Sequence, residues 1–250
     1  MKSIHKLFFI VFALMLMASS SSVAQVPLPQ KGKTKDQSAQ PQRQIDEQLA
    51  RSFYNNKEYY KAAELYNQLY QKYNYYHYFS QYIECLLFIE KYDEAEKNLK
   101  TFIKRDNTTN KWKAQINLAF VYQKNNEIEK ADKYLKKMIN ELPEDRNVFN
   151  QVANNMRMKD LDEYAILLYD RGASILSMNH KFYMEKALAY QSMLNFEKAT
   201  ENYLLQLEVS PDDYETVKSR FSYMLRYDVD GSVTDVMRIA LLKKTQERPE

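Results

Sequence analysis

Apolar residues recur along most of this chain on two periods. The short period is helical. Leu49, Phe53, Tyr59, Ala62, Tyr66 and Leu69 fall on the faces of two amphipathic helices, and the polar run Asn55-Asn56-Lys57 separates them. The long period repeats that arrangement. Ala62, Ala95, Ala131, Ala165 and Ala199 are spaced by 33, 36, 34 and 34 residues. Each follows an apolar residue closely (Tyr59, Tyr92, Ile128, Leu161, Phe196) and precedes another by four positions (Tyr66, Leu99, Leu135, Tyr169, Tyr203). Self-similarity of this length predicts stacked helix pairs, each burying its apolar face on its neighbours. Pro143 and Pro211 fall where a second helix should stop and the next unit begin.

A second small residue falls on the first helix of most units, at Ala50, Ala119, Ala153 and Ala187, with Ile83 as the exception. With the late aromatics and the terminal prolines, this pattern resembles the tetratricopeptide repeat family over about residues 44–248. The early tryptophan of that family is absent, and alanine replaces its crossing glycine. The resemblance implies an all-α, right-handed superhelical solenoid of helix-turn-helix repeats. The expected boundaries are about 44–75, 76–110, 111–144, 145–178, 179–212 and a degenerate 213–250. The array has no polar capping helix, so continuation beyond residue 250 or another cover for that end is expected.

Composition agrees. Three glycines and six prolines in 250 residues leave little material for hairpins or glycine-rich phosphate loops. A net charge of +3, or +1 without Lys2 and Lys6, gives no electrostatic warrant for nucleic acid. The first residues read as a signal peptide, 1–24: positive Lys2 and Lys6, the apolar run Leu7 to Met17, and Ser22-Val23-Ala24 before Gln25. An uncleaved anchor is the alternative, although the apolar run is short for a membrane span. No cysteine stands near the cleavage site, so a lipoprotein is not expected. The mature chain should be exported without a transmembrane span, in the periplasm or at the cell envelope, where association with an envelope complex is open. Residues 25–43 hold three of the six prolines and few apolar residues, and read as a disordered spacer.

No nucleophile motif appears, and no metal or cofactor is expected. Cys85 is the only cysteine and sits in an apolar helical setting that predicts an inert thiol. The run Asp228 to Asp235 mimics a calcium loop but puts Arg226 and Met237 at ligand positions, so a helix-breaking turn capped by Ser232 or Thr234 is expected.

Binding is the expected activity: a non-catalytic scaffold holding a protein or peptide in the concave groove that the resemblance implies. Carried over by register, the groove positions include Arg51, Asn55, Phe88, Phe120, Lys124, Asn147, Asn150, Asn154, Arg157 and Gln191. Ile116, Met184 and Leu188 join them unless the register slips by one. Asn147, Asn150, Asn154 and Arg157 share one helix face, where amides could pair with a peptide backbone and Arg157 with a carboxylate. The family's clamp for chaperone tails needs a lysine where Glu47 stands, so that activity is not expected. Two alternatives stay open. Ten of the 21 tyrosines lie between Tyr54 and Tyr82, and Tyr73, Tyr75 and Tyr76 could stack on an envelope glycan or peptidoglycan. The chain could also be the accessory N-terminal part of a longer enzyme.

Overall fold

The computed structural model describes residues 39–176 and 181–247. The expected leader and most of the expected spacer lie outside these residues. Among the described residues there are twelve α-helices and no strands. They run in pairs: α1 Ala39–Asn55 with α2 Tyr59–Tyr73, α3 Tyr76–Phe88 with α4 Tyr92–Arg105, and α5 Asn110–Lys124 with α6 Ile128–Glu141. Then come α7 Arg146–Arg157 with α8 Asp162–Ile175, α9 Tyr183–Ser192 with α10 Phe196–Val209, and α11 Tyr214–Met224 with α12 Ser232–Glu247. Helix α1 begins at Ala39, so it takes in the last five residues of the stretch expected to be spacer. Among the described residues no helix is long and apolar enough to cross a membrane.

The five alanines that set the long period are all fully buried, as are Ala50, Ala119, Ala153 and Ala187. A methyl group there lets neighbouring helix backbones approach without a cavity or a clash. Ile83 takes the equivalent place in α3 and is also buried. Gly172 serves the same end in α8. A Cβ placed on it would lie 2.7 Å from the Phe182 ring and 2.8 Å from the Phe149 ring.

The turn inside each of the first five pairs repeats in backbone detail. Lys57, Glu90, Asn126, Asp160 and Leu194 all have positive φ, between 57° and 62°, and each stands five residues before its alanine. The next residue donates its N–H back to the first helix: Glu58 to Phe53 at 2.8 Å, Lys91 to Leu86 at 2.9 Å, Glu127 to Tyr122 at 2.8 Å, Leu161 to Met156 at 3.1 Å and Asn195 to Tyr190 at 2.9 Å. This is the Schellman termination, with the left-handed position filled by something other than glycine each time. The carbonyl of that same residue then accepts the N–H of the buried alanine at 3.0 or 3.1 Å, so the second helix starts where the first has just stopped.

Buried residues form three clusters. The first joins α1 to α6 around Leu69, Tyr78, Ile83, Leu86 and Leu99. The second centres on Leu135, Phe149, Met156, Leu168 and Tyr169, and the third on Ala199, Tyr203, Val217 and Met237. Tyrosine hydroxyls tie successive units together at their rims. Tyr78 donates to Glu47 (3.0 Å), Tyr122 to Glu96 (3.1 Å) and Tyr164 to Asp132 (3.0 Å). Burial and the adjoining carboxylate push the Tyr78 and Tyr164 phenols up to about 12. Cys85 is buried, and burial pushes its thiol up to about 12, which leaves little nucleophilic thiolate.

The last pair packs more thinly. Helix α11 buries only Val217 and Met224, and α12 only Val233 and Met237. The turn before α12 is capped by Asp228, whose Oδ1 accepts the N–H of Val233 (2.9 Å) and whose Oδ2 accepts that of Thr234 (3.2 Å). The cap is therefore four residues upstream of the expected Ser232, because the carboxylate reaches two free helix N–H groups at once. Among the described residues no group of acids, histidines and cysteines could hold a metal ion.

Candidate functional site

The first helices of the middle units touch one another directly, α3 against α5 and α5 against α7, and so present a continuous face. Its centre is Phe120 on α5. The Lys124 ammonium lies 4.9 Å from that ring's centroid, and Lys159, from the turn after α7, lies 5.1 Å from it. Lys113 lies 5.9 Å from the Tyr76 ring on the same side of α5. None of these three lysines has an ion-pair partner among the described residues, whereas Lys100, Lys130 and Lys136 on the second helices are engaged by Glu96, Glu127 and Asp132. A ring face supplies modest attraction to an ammonium but leaves its charge uncompensated. Phe88 is half exposed at the other end of this face, stacked on Tyr59 at 4.3 Å and edge-on to Tyr54 at 6.0 Å.

The asparagine row divides. Asn147 and Asn154 are exposed, and the Asn147 N–H is held by the capping carboxylate of Asp145 at 2.7 Å. Asn150 lies between them, half-buried, with its Oδ1 enclosed and without a hydrogen-bond partner. Arg51 and Asn55 are exposed on α1, where Arg51 approaches Glu47 at 3.8 Å.

Three expected binding residues are turned inward instead. Arg157 is spent within the array: Nε donates to buried Asp162 at 3.0 Å, and an Nη donates to the Leu188 carbonyl of the next unit at 3.0 Å. Ser192 completes this lock by donating to Asp162 at 2.7 Å. Gln191 is buried, and its Oε1 accepts the Tyr203 hydroxyl at 2.7 Å, which satisfies both groups in an apolar setting. Ile116 is a core residue, 1% exposed, while Met184 and Leu188 are partly buried against the third cluster.

The tyrosine segment also divides. Tyr75 is exposed and stacks near His77 (5.8 Å), with the Arg43 guanidinium 5.6 Å from its ring. Tyr73 is half-buried, with Arg43 at 6.0 Å. Tyr76 does not join them. Its ring packs 5.3 Å from Phe102, its hydroxyl accepts from buried Asn117 (3.4 Å), and burial raises its pKa. A flat aromatic platform of all three is therefore not formed. Lys159 carried no signal in the helix register because it belongs to a turn, and only the packing of α7 against α5 brings it to Phe120.

Repeat spacing, small residues at most helix crossings and a left-handed turn inside each of the first five pairs now stand together. The fold is an array of consecutive helix-turn-helix pairs, the arrangement that the resemblance to tetratricopeptide repeats implied. No protein-family model matches the sequence, and no curated protein matches it. Among solved structures the chain is similar to a thermophilic TPR protein of Thermus thermophilus, at 16% identity, covering 73% of this chain and 98% of that one with a TM-score of 0.39. It is also similar to the TPR2AB-domain:pHSP90 complex of yeast Sti1, at 13% identity over 80% of this chain and 99% of that one, TM-score 0.36. A third similarity is to the C-terminal part of a TPR repeat-containing protein from Cytophaga hutchinsonii, at 18% identity over 80% and 79% of the two chains, TM-score 0.33.

Proposed function

We propose that this chain is a non-catalytic scaffold that captures an extended acidic segment of a partner protein across the first-helix face of its middle units. The observation that carries this reading is the trio Lys113, Lys124 and Lys159, set over aromatic rings and left without ion pairs. Each ammonium retains donors for a carboxylate, and the adjoining Phe120 and Phe88 rings offer apolar contact between acidic positions. Asn147, Asn150 and Asn154 lie on the neighbouring first helix, where amides can pair with a peptide backbone. Partial burial should make the Lys113 and Lys159 charges more effective than those of solvated surface lysines. The leader-like residues Lys2 to Ala24 support an exported site of action, in the periplasm or at the envelope.

The test uses a fluorescein-labelled peptide alternating glutamate and leucine, titrated with the whole chain and followed by anisotropy. Binding should weaken by about tenfold or more in the Lys124→Glu/Lys159→Glu variant, since two reversed charges cost at least about 1.4 kcal/mol. It should also weaken steeply with added salt. Equal affinity for wild type and variant, or binding indifferent to salt, would remove this face from the function.

A further inference from the structure

A separate cleft of about 380 Å³ lies away from the lysine face, between the C-terminal halves of α2 and α4. Its wall is the ring pair Phe79 and Phe102, stacked at 4.7 Å and 16°, with Tyr70 tilted against Phe79 at 4.9 Å. Asn74, Asn98, Arg105 and Asp106 supply its polar lining. Part of their hydrogen-bonding capacity is open, chiefly as acceptors on Asn98 and Asp106. Asn98 donates its amide N–H groups to the Glu94 carbonyl (2.8 Å) and the Tyr82 hydroxyl (3.4 Å), which leaves its Oδ1 as an acceptor. Asp106 Oδ1 accepts from both the N–H (2.7 Å) and the hydroxyl (2.6 Å) of Thr108, which fixes the carboxylate and leaves Oδ2 open. Arg105 has no ion pair among the described residues although it lines the same cleft as Asp106. The Tyr70 phenol feels the charge of both, and burial raises its pKa, so it is a neutral donor throughout the physiological range.

We propose that this cleft binds a saccharide unit. A carboxylate held at one oxygen and a side-chain amide beside it can each take a hydroxyl of a vicinal pair, and a guanidinium can take a further hydroxyl or a sugar carboxylate. The carbon-bound hydrogens of a pyranose ring lie on the edge of the phenyl wall, which contributes by excluding water. The volume is that of a small ring ligand. The lining comes from short stretches of three helices, which offer an extended peptide neither a strand edge nor a helix-length groove.

The experiment is saturation-transfer NMR on the whole chain with N-acetylglucosamine, galactose and glucuronic acid in turn. Ring protons of at least one sugar should receive saturation. The affinity should fall by about tenfold or more in Arg105→Ala and in Asp106→Asn, the latter keeping the acceptor that Thr108 needs. The Lys124→Glu/Lys159→Glu variant should bind the sugar as wild type does. No transfer to any of the three sugars would overturn the proposal. So would transfer unchanged in both cleft variants, provided their circular dichroism matches wild type. Displacement of the sugar by the glutamate-leucine peptide would overturn it too, by showing a peptide site.

Discussion

Replacing Glu90 with glycine should stabilise the array, although it removes a side chain and adds none. Glu90 is exposed and sits at φ 58°, at the left-handed position of the Schellman turn that ends α3. The left-handed conformation costs an L-residue about 1–2 kcal/mol, and glycine escapes that cost. A carboxylate at a helix C-terminus also opposes the dipole, by about 0.3–1 kcal/mol before exposure reduces it. Against these gains stands the extra freedom of glycine in the unfolded chain, about 0.5–1 kcal/mol. The balance is a gain of about 1 kcal/mol. Asn126, at φ 61° in the next unit, is the control, because asparagine tolerates the left-handed region and Asn126→Gly should change little. Urea unfolding measures the midpoints. Amide exchange at Lys91, whose N–H is bonded to Leu86, reports the turn itself. A lower midpoint for Glu90→Gly, or equal shifts for the two variants, would refute the assignment of strain to these turns.

Arg157→Ala should destabilise the fourth and fifth units by about 2 kcal/mol, because it strands the Asp162 carboxylate, while peptide affinity in the folded fraction stays near wild type. Differential scanning calorimetry beside the anisotropy titration separates these two effects. Gly172→Ala should lower stability by about 1–3 kcal/mol through overpacking on Phe149 and Phe182, measured by urea unfolding. Stability should be lost progressively from pH 10 towards pH 12. Buried Tyr78 and Tyr203 and half-buried Tyr164 hold their protons to about 12 when folded, so the unfolded chain deprotonates first and is favoured as pH rises. Tyrosinate absorbance should rise together with the loss of helical circular dichroism. At the acid end, folding holds Glu94, Glu96 and Asp132 below their usual range, so their contribution is present above the ordinary carboxylate pKa and fades as pH falls below it.

The helix pairs were legible because a small residue at a close crossing leaves a position-specific mark: every alanine of the long period is buried where the spacing placed it. The turns were harder to read. Left-handed termination usually announces itself through glycine, and this chain uses Lys, Glu, Asn, Asp and Leu instead, so only the constant offset from each alanine betrays it. The proposed face was read in part. Phe120 and Lys124 lie on it, but Arg157 and Gln191 share that register and are drawn inward by Asp162 and Tyr203. A helix-face argument counts positions and cannot weigh a buried carboxylate on the neighbouring helix that needs a cation. For the same reason Lys159, beyond the end of α7, escaped it.

The thin packing of α11 and α12 bears on how the array would respond to a mechanical load. With two buried apolar side chains in each, the final pair is among the most thinly anchored of the six. Pulled from its two ends, the array should yield there first, in a short low-force step. The tyrosine-carboxylate ties between the earlier units should then release at higher force. A partner held on α5 and α7 would sit behind that weak link, so extension could be absorbed at residues 214–247 while the lysine face stays assembled.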